Sequence, residues 1–106
     1  MKTVELAPEA LDEATGATSW YENRRPGLGS QFLNELEATL SRIGEAPASF
    51  PRLLDVSPEL GVRRVLMRRF PYGLLFIELE ASVRVVAVAH LKRRPGYWLS
   101  RVCRDS

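Results

Sequence analysis

The stretch VRVVAVAHLKRRPGYW, residues 83–98, joins an apolar run to a basic and aromatic segment. The run Val83–Ala89 is rich in β-branched residues, which favours a strand that is buried on both faces of a sheet. The nine residues His90–Trp98 then carry one imidazole, three cations and two large rings. This composition at the end of a strand predicts a binding site for an anionic or aromatic ligand, or for the acidic side chains of a protein.

Two amphipathic helices that form a hairpin are predicted in the first half of the chain. Pro8 suits the first position of a helix. Apolar residues then share one face of that helix, at Ala10, Ala14, Ala17 and Tyr21. Pro26-Gly27 predicts the turn of the hairpin. A second helix follows with apolar residues at helical spacing, and Gly44 and Pro47 end it.

Four strands are predicted around this hairpin. Alternation over Thr3–Ala7 is typical of a half-buried strand. Residues 47–61 contain three prolines and a glycine, so they predict an irregular connection. The turns after it are short enough for antiparallel hairpins. The strands they join are Val62–Arg69, Leu74–Leu79 and Val83–Ala89, which gives the order β-α-α-β-β-β.

Length and composition predict one globular domain over residues 1–106, since 45% of the chain is hydrophobic. No apolar run reaches the roughly 20 residues of a membrane span, and the N-terminus lacks the apolar core of a signal peptide. We therefore expect a cytoplasmic protein without a membrane partner. The single cysteine, Cys103, has no Cys or His at metal-ligand spacing, so we expect an incidental thiol, no metal and no cofactor.

The net charge of +2 conceals a strong division along the chain. Residues 1–61 hold five basic and ten acidic side chains, whereas residues 62–106 hold ten basic and three acidic ones. The two parts thus carry charges of −5 and +7. This asymmetry favours an anionic partner for the C-terminal part, either a nucleic acid or an acidic protein segment.

Five groups of residues, spread over nearly the whole chain, carry a resemblance to a known family. They are Trp20-Tyr21-Glu22, Pro26-Gly27-Leu28-Gly29 with Phe32-Leu33, Arg63-Arg64, Arg69-Phe70-Pro71-Tyr72, and Val88-Ala89-His90 with Arg93-Arg94-Pro95-Gly96-Tyr97-Trp98. In this order they resemble the RelE/ParE toxin superfamily of bacterial type II toxin-antitoxin systems. The resemblance implies an α+β fold with a helical hairpin packed on a small, mostly antiparallel sheet. It also implies growth inhibition, plasmid stabilisation and a cognate antitoxin.

ParE-like members of this superfamily are reported to inhibit DNA gyrase by binding, and this is the function that we favour. Arg, Tyr and Trp are enriched at the energetic centres of protein interfaces. The segment that follows the last strand has this composition. The predicted target-binding residues are His90, Lys92, Arg93, Arg94, Tyr97 and Trp98.

RelE-like members, the alternative, are metal-independent endoribonucleases that cut messenger RNA on the ribosome. Their chemistry needs a general base, a general acid and a cation that stabilises the charge on phosphate. Arginine suits the last role because its fork pairs with two phosphate oxygens. The candidates for these roles are Arg64, Arg68, His90, Arg93 and Tyr97, with Lys92 as a further cation.

The sequence departs from the RelE-like pattern at two positions. Those enzymes usually carry an arginine just after the tyrosine that opens the third strand, and Gly73 occupies that position here. Their cationic pair on the second strand would fall on Arg64 and Leu66, so only one cation remains. These departures weaken the ribonuclease interpretation, and a degenerate toxin that only binds its antitoxin stays a third alternative.

Each candidate also has a structural interpretation. A structural role for His90, as a hydrogen-bonded residue at the end of a strand, explains its position as well as a catalytic role does. The rings of Tyr97 and Trp98 are equally explained by packing. If the second strand continued to Arg69, Arg64 and Arg68 would share one of its faces with Leu66 and Phe70. Arg63 and Arg69 would then lie on the other face. We expect an antitoxin helix to bind the exposed side of the helical hairpin and the sheet edge.

Overall fold

The computed structural model of the chain describes residues 1–54 and 56–104, without the side chains of Cys103 and Arg104. The prediction of an incidental thiol at Cys103 therefore lies outside the described side chains. Two short 3₁₀ helices, Pro47–Ser49 and Pro58–Leu60, lie in the connection before the second strand. The regular elements are β1 Thr3–Leu6, α1 Pro8–Arg24, α2 Leu28–Glu45, β2 Val62–Leu66, β3 Tyr72–Glu78, β4 Ser82–His90 and α3 Leu99–Arg104.

The four strands form one mixed sheet in the order β1-β4-β3-β2. β1 runs parallel to β4, while β3 pairs antiparallel with both β4 and β2. The helical hairpin packs on one face of this sheet. The predicted fold class, α+β with paired helices on a small and mostly antiparallel sheet, is confirmed.

The larger core lies between the hairpin and the sheet. Apart from Tyr21, α1 contributes only alanines to it, and these three small residues let the helix backbone approach the sheet closely. α2 contributes larger side chains, among them the fully buried Phe32 and Ile43. At one end of this core, rings from the hairpin, from the turn before β3 and from the start of β3 pack edge to face or stacked. These rings are Tyr21, Phe32, Phe70 and Tyr72.

The residues that form a second core, on the opposite face of the sheet, were not predicted. Leu75 of β3 and Val86 of β4 contact Trp98 and Val102 there, and the connection before β2 adds Leu53. The segment after β4 thus folds back across the sheet and ends in α3. The central strands are buried on both faces. The helical hairpin covers one face, and the segment after β4 together with the connection before β2 covers the other.

The prediction of a strand over Val62–Arg69 is wrong at its C-terminal end. β2 ends at Leu66, and Arg69 adopts a left-handed backbone conformation with φ of 71°. This reversal lets Phe70 enter the hairpin-side core together with Met67. Because the alternation breaks there, Arg68 and Arg69 lie in a turn instead of on opposite faces of a strand.

The contact between α1 and α2 gives a first testable prediction, at Gly29. A Cβ atom on this residue would lie 2.8 Å from the Thr18 carbonyl oxygen and 2.9 Å from a Glu22 carboxylate oxygen. The same carboxylate accepts the backbone N–H groups of Gly27 and Gly29 and so closes the turn of the hairpin. We expect Gly29→Ala to lower the free energy of unfolding by about 1–3 kcal/mol in urea denaturation.

The matched control is Gly16→Ala in the middle of α1, where an added Cβ would meet nothing within 4 Å. Alanine is favoured over glycine in a helix interior, so this variant should gain about 0.5–1 kcal/mol. Equal effects of the two substitutions would show that the helices do not approach as closely at Gly29 as the structure indicates.

Candidate functional site

A groove with a volume of about 680 Å³ lies beside the second core, on the sheet face away from the hairpin. β2, β3 and the end of β4 form its floor, and the segment after His90 and the connection before β2 form its walls. Four arginines line it, and none of its described lining residues is acidic. We call it the basic groove, and its arginines are Arg52, Arg64, Arg93 and Arg94.

Most of the predicted site residues meet at this groove although they come from separate elements. Arg64 comes from β2, His90 ends β4, and Arg93, Arg94, Tyr97 and Trp98 follow β4. Two predicted residues do not line it. Arg68 is exposed in the turn after β2, and Lys92 is exposed in the turn after β4.

The two positions at which RelE-like enzymes carry further cations are adjacent across β2 and β3, and of the two only Gly73 lines the groove. Leu66 pairs with Gly73 in the register of β2 and β3. A Cβ atom on Gly73 would lie 3.4 Å from Leu66 Cδ2 and 3.6 Å from Arg64 Cδ. Arg64 is therefore the only cation at these three adjacent positions.

His90 has two structural contacts at the end of β4. Its Nδ1 accepts a hydrogen bond of 3.0 Å from the Lys92 backbone N–H, which tightens the turn. Its ring packs edge-on against Tyr72, its partner in the β3–β4 register, with centroids 5.1 Å apart. Because Nδ1 is an acceptor, the neutral ring carries its proton on Nε2.

Tyr97 is held by the first helix and lies between two arginines. Its hydroxyl donates a hydrogen bond of 2.6 Å to Glu13 Oε2. The guanidinium carbon of Arg93 lies 3.9 Å from the ring centroid, and that of Arg101 lies 5.1 Å from it. Burial and the hydrogen bond to Glu13 raise the pKa of Tyr97, which favours the protonated hydroxyl.

Glu13 and Arg101, which sequence reasoning missed, close the free edge of β4. β1 pairs with β4 only as far as Val85, and no strand among the described residues adjoins the edge of β4 beyond it. There, Glu13 Oε1 accepts the Val88 N–H at 3.0 Å, and Arg101 Nη1 donates to the Val86 carbonyl at 2.9 Å. The two side chains also form a two-point ion pair at 2.9 and 3.1 Å.

No local signal in the sequence identifies this pair, because its members lie 88 residues apart. Each replaces a missing strand partner and thereby satisfies a backbone group at the sheet edge. The pair also connects α1 to α3 across the edge of β4. The segment between β4 and α3 is therefore fixed at its C-terminal end.

The prediction that Trp98 presents its ring to a target needs a correction. The side chain is 5% exposed and packs in the second core. Its alternative interpretation, as a packing residue, agrees with this position. Trp98 supports the walls of the basic groove, while the adjacent Arg93 and Arg94 are exposed.

The described side chains of residues 1–54 and 56–102 contain no group of three or more His, Cys, Asp or Glu that could hold a metal ion. None of the helices described over residues 1–54 and 56–104 is both long enough and apolar enough to cross a membrane.

Comparison with known proteins identifies the fold. A scan against protein-family models and a search of curated proteins each found no match. Among solved structures, a chain of the chromosomal ParDE TA system from P. aeruginosa matches with a TM-score of 0.73 and 13% sequence identity. The match covers 85% of this chain and 96% of that chain. This chain therefore has the RelE/ParE-like fold that its sequence predicted.

Proposed function

We propose that this chain is the toxin of a type II toxin-antitoxin system, that it acts in the cytoplasm by binding DNA gyrase, and that a cognate antitoxin neutralises it. The fold shared with a chain of a ParDE TA system supports the toxin assignment. The observation that carries the proposal is the basic groove, where four arginines meet without a described acidic neighbour. Such a surface favours binding to acidic groups of a protein.

The composition of the groove supports binding over phosphate chemistry. Cleavage of RNA by the 2′-hydroxyl needs a base, an acid and cations that hold the phosphate. Tyr97 is engaged by Glu13 and its pKa is raised, so it is a poor proton carrier. At the three adjacent positions Arg64, Leu66 and Gly73 of β2 and β3, Arg64 is the single cation.

One observation favours the ribonuclease as a second candidate. Arg64, Arg93 and His90 all line the same groove, so two cations and an imidazole meet at one place. If a message entered the groove, the arginines would contact phosphates. The target would then be the ribosome and its messenger RNA instead of gyrase.

The antitoxin is expected to use a different face as well as the groove. Leu11, Trp20 and Leu33 are large apolar side chains exposed on the helical hairpin. Exposed apolar residues of this kind suit the docking of an amphipathic helix. An acidic segment of the same antitoxin would bind the basic groove and block access to it.

Growth of bacterial cells tests the toxin assignment. Inducing the chain alone is expected to arrest growth and to produce filamentous cells, because blocked replication prevents division. Co-expression of the short, acidic-tailed protein expected to be encoded beside it should restore growth. Unimpaired growth of cells that contain the folded chain would contradict the assignment. Message cleavage positioned at codons in those cells would favour the ribonuclease.

A further inference from the structure

The guanidinium of Arg93 is held over the ring of Tyr97 and not by a carboxylate. The distance from the guanidinium carbon to the ring centroid is 3.9 Å, which is well within the range of a cation–π contact. None of the described ion pairs involves Arg93. Its charge therefore remains available to an anionic ligand while its position is fixed.

Few contacts other than the one with Tyr97 hold the segment that carries Arg93. Residues 91–95 are all exposed, and Gly96 adopts a left-handed conformation with φ of 79°. Backbone hydrogen bonds from Arg93 N–H to the His90 carbonyl and from Tyr97 N–H to the Arg94 carbonyl define two turns. They constrain the main chain, but the direction of a long arginine side chain depends on what its guanidinium contacts.

The ring of Tyr97 is in turn fixed from the first helix. Its hydroxyl donates to Glu13, whose carboxylate is also held by Arg101 and by the Val88 N–H. The side chains of Glu13 and Arg101 are only 16% and 15% exposed. A charged hydrogen bond within such a network is strong and geometrically defined.

We propose that Glu13 and Tyr97 are positioning residues of the basic groove. Glu13 fixes the plane of the Tyr97 ring, and the ring fixes the guanidinium of Arg93 towards the acidic side chains of a protein partner. The kind of partner rests on the proposed function, whereas the positioning itself does not. Glu13 of α1, which precedes Tyr97 by 84 residues in the chain, thus sets the geometry of the basic groove.

Side-chain NMR of the isolated protein tests the positioning. In the wild-type protein we expect nuclear Overhauser contacts between the Arg93 δ-protons and the Tyr97 ring, and an upfield shift of those protons by the ring. Tyr97→Phe keeps the ring but removes the hydroxyl that donates a hydrogen bond to Glu13. The Arg93 δ-protons of this variant should lose most of the upfield shift while the protein stays folded. An unchanged shift in the Phe variant would overturn the proposal.

A double-mutant cycle then measures whether Tyr97 acts through Arg93. The probe is a fluorescein-labelled oligoglutamate peptide, whose binding is followed by fluorescence anisotropy. Tyr97→Leu should weaken binding about two- to fivefold in the wild-type background, the range of an exposed cation–π contact, and should change nothing in an Arg93→Ala background. Equal weakening in both backgrounds would assign Tyr97 a purely structural role and overturn the proposal.

Both measurements use the isolated chain and do not involve gyrase or growth. If the proposed function were wrong, cells would grow normally on induction. The NMR contacts between Arg93 and Tyr97 and the non-additive double-mutant cycle would still be observed. Failure of the positioning proposal would instead appear as an unchanged shift or an additive cycle in a chain that still arrests growth. The two failures are therefore distinguishable.

Discussion

Replacing Trp98 by alanine is expected to lower the free energy of unfolding by about 3–5 kcal/mol, the usual cost of removing a large aromatic side chain from a core. The ring is 5% exposed and contacts both the sheet and α3 through the second core. Its loss would leave a cavity between the sheet and the C-terminal segment. Urea denaturation of the purified variant measures the change.

Trp20→Ala is the matched control. This tryptophan is 52% exposed, and its contacts include the Tyr21 ring and the Arg24 guanidinium. Its removal should cost about 1 kcal/mol or less, because little buried area and one surface cation–π contact are lost. A comparable loss of stability in both variants would mean that the C-terminal segment does not form a core on the sheet.

Replacing Arg93 and Arg94 together by alanine is expected to abolish growth arrest without unfolding the protein. Both side chains are exposed, and both line the basic groove. Hot-spot residues, among which arginine is enriched, each cost about 2 kcal/mol or more when truncated, so loss of the pair should weaken target binding by about 1,000-fold. Induction of the double variant at the same protein level measures the effect on growth.

The control for this variant removes two arginines that are also exposed but lie elsewhere. Arg24 and Arg25 lie at the end of α1 and do not line the groove. Their replacement by alanine removes the same total charge, so full growth arrest is expected to persist. If both double variants lost toxicity equally, net charge and not the basic groove would explain the effect.

The hairpin and the strands could be predicted because their signals are local. The spacing of Ala10, Ala14 and Ala17 correctly identified the buried face of α1. The apolar run of β4 correctly predicted burial on both faces of the sheet, since Val85 and Val88 face the hairpin while Val86 and Ala87 face the second core. Glycine and proline signals located the ends of the helices.

The candidate site was predicted less completely because it depends on long-range contacts. α3 has six residues, too few to show a helical period. No local sequence pattern indicates that Trp98 packs against the sheet. The approach of Glu13 to Tyr97 and Arg101 joins the two ends of the chain. The second strand was predicted three residues too long, because the chain leaves the sheet after Leu66 and reverses at Arg69 before Phe70 packs in the hairpin-side core.

Inhibition of purified DNA gyrase tests the central claim most directly. The claim is that the basic groove disables its target by binding, with Arg93 and Arg94 as essential contacts. We predict that the wild-type chain inhibits DNA supercoiling by gyrase in a concentration-dependent way, and that the Arg93→Ala, Arg94→Ala variant does not. Equal inhibition by both proteins, or supercoiling unaffected by the folded wild-type chain, would contradict the account.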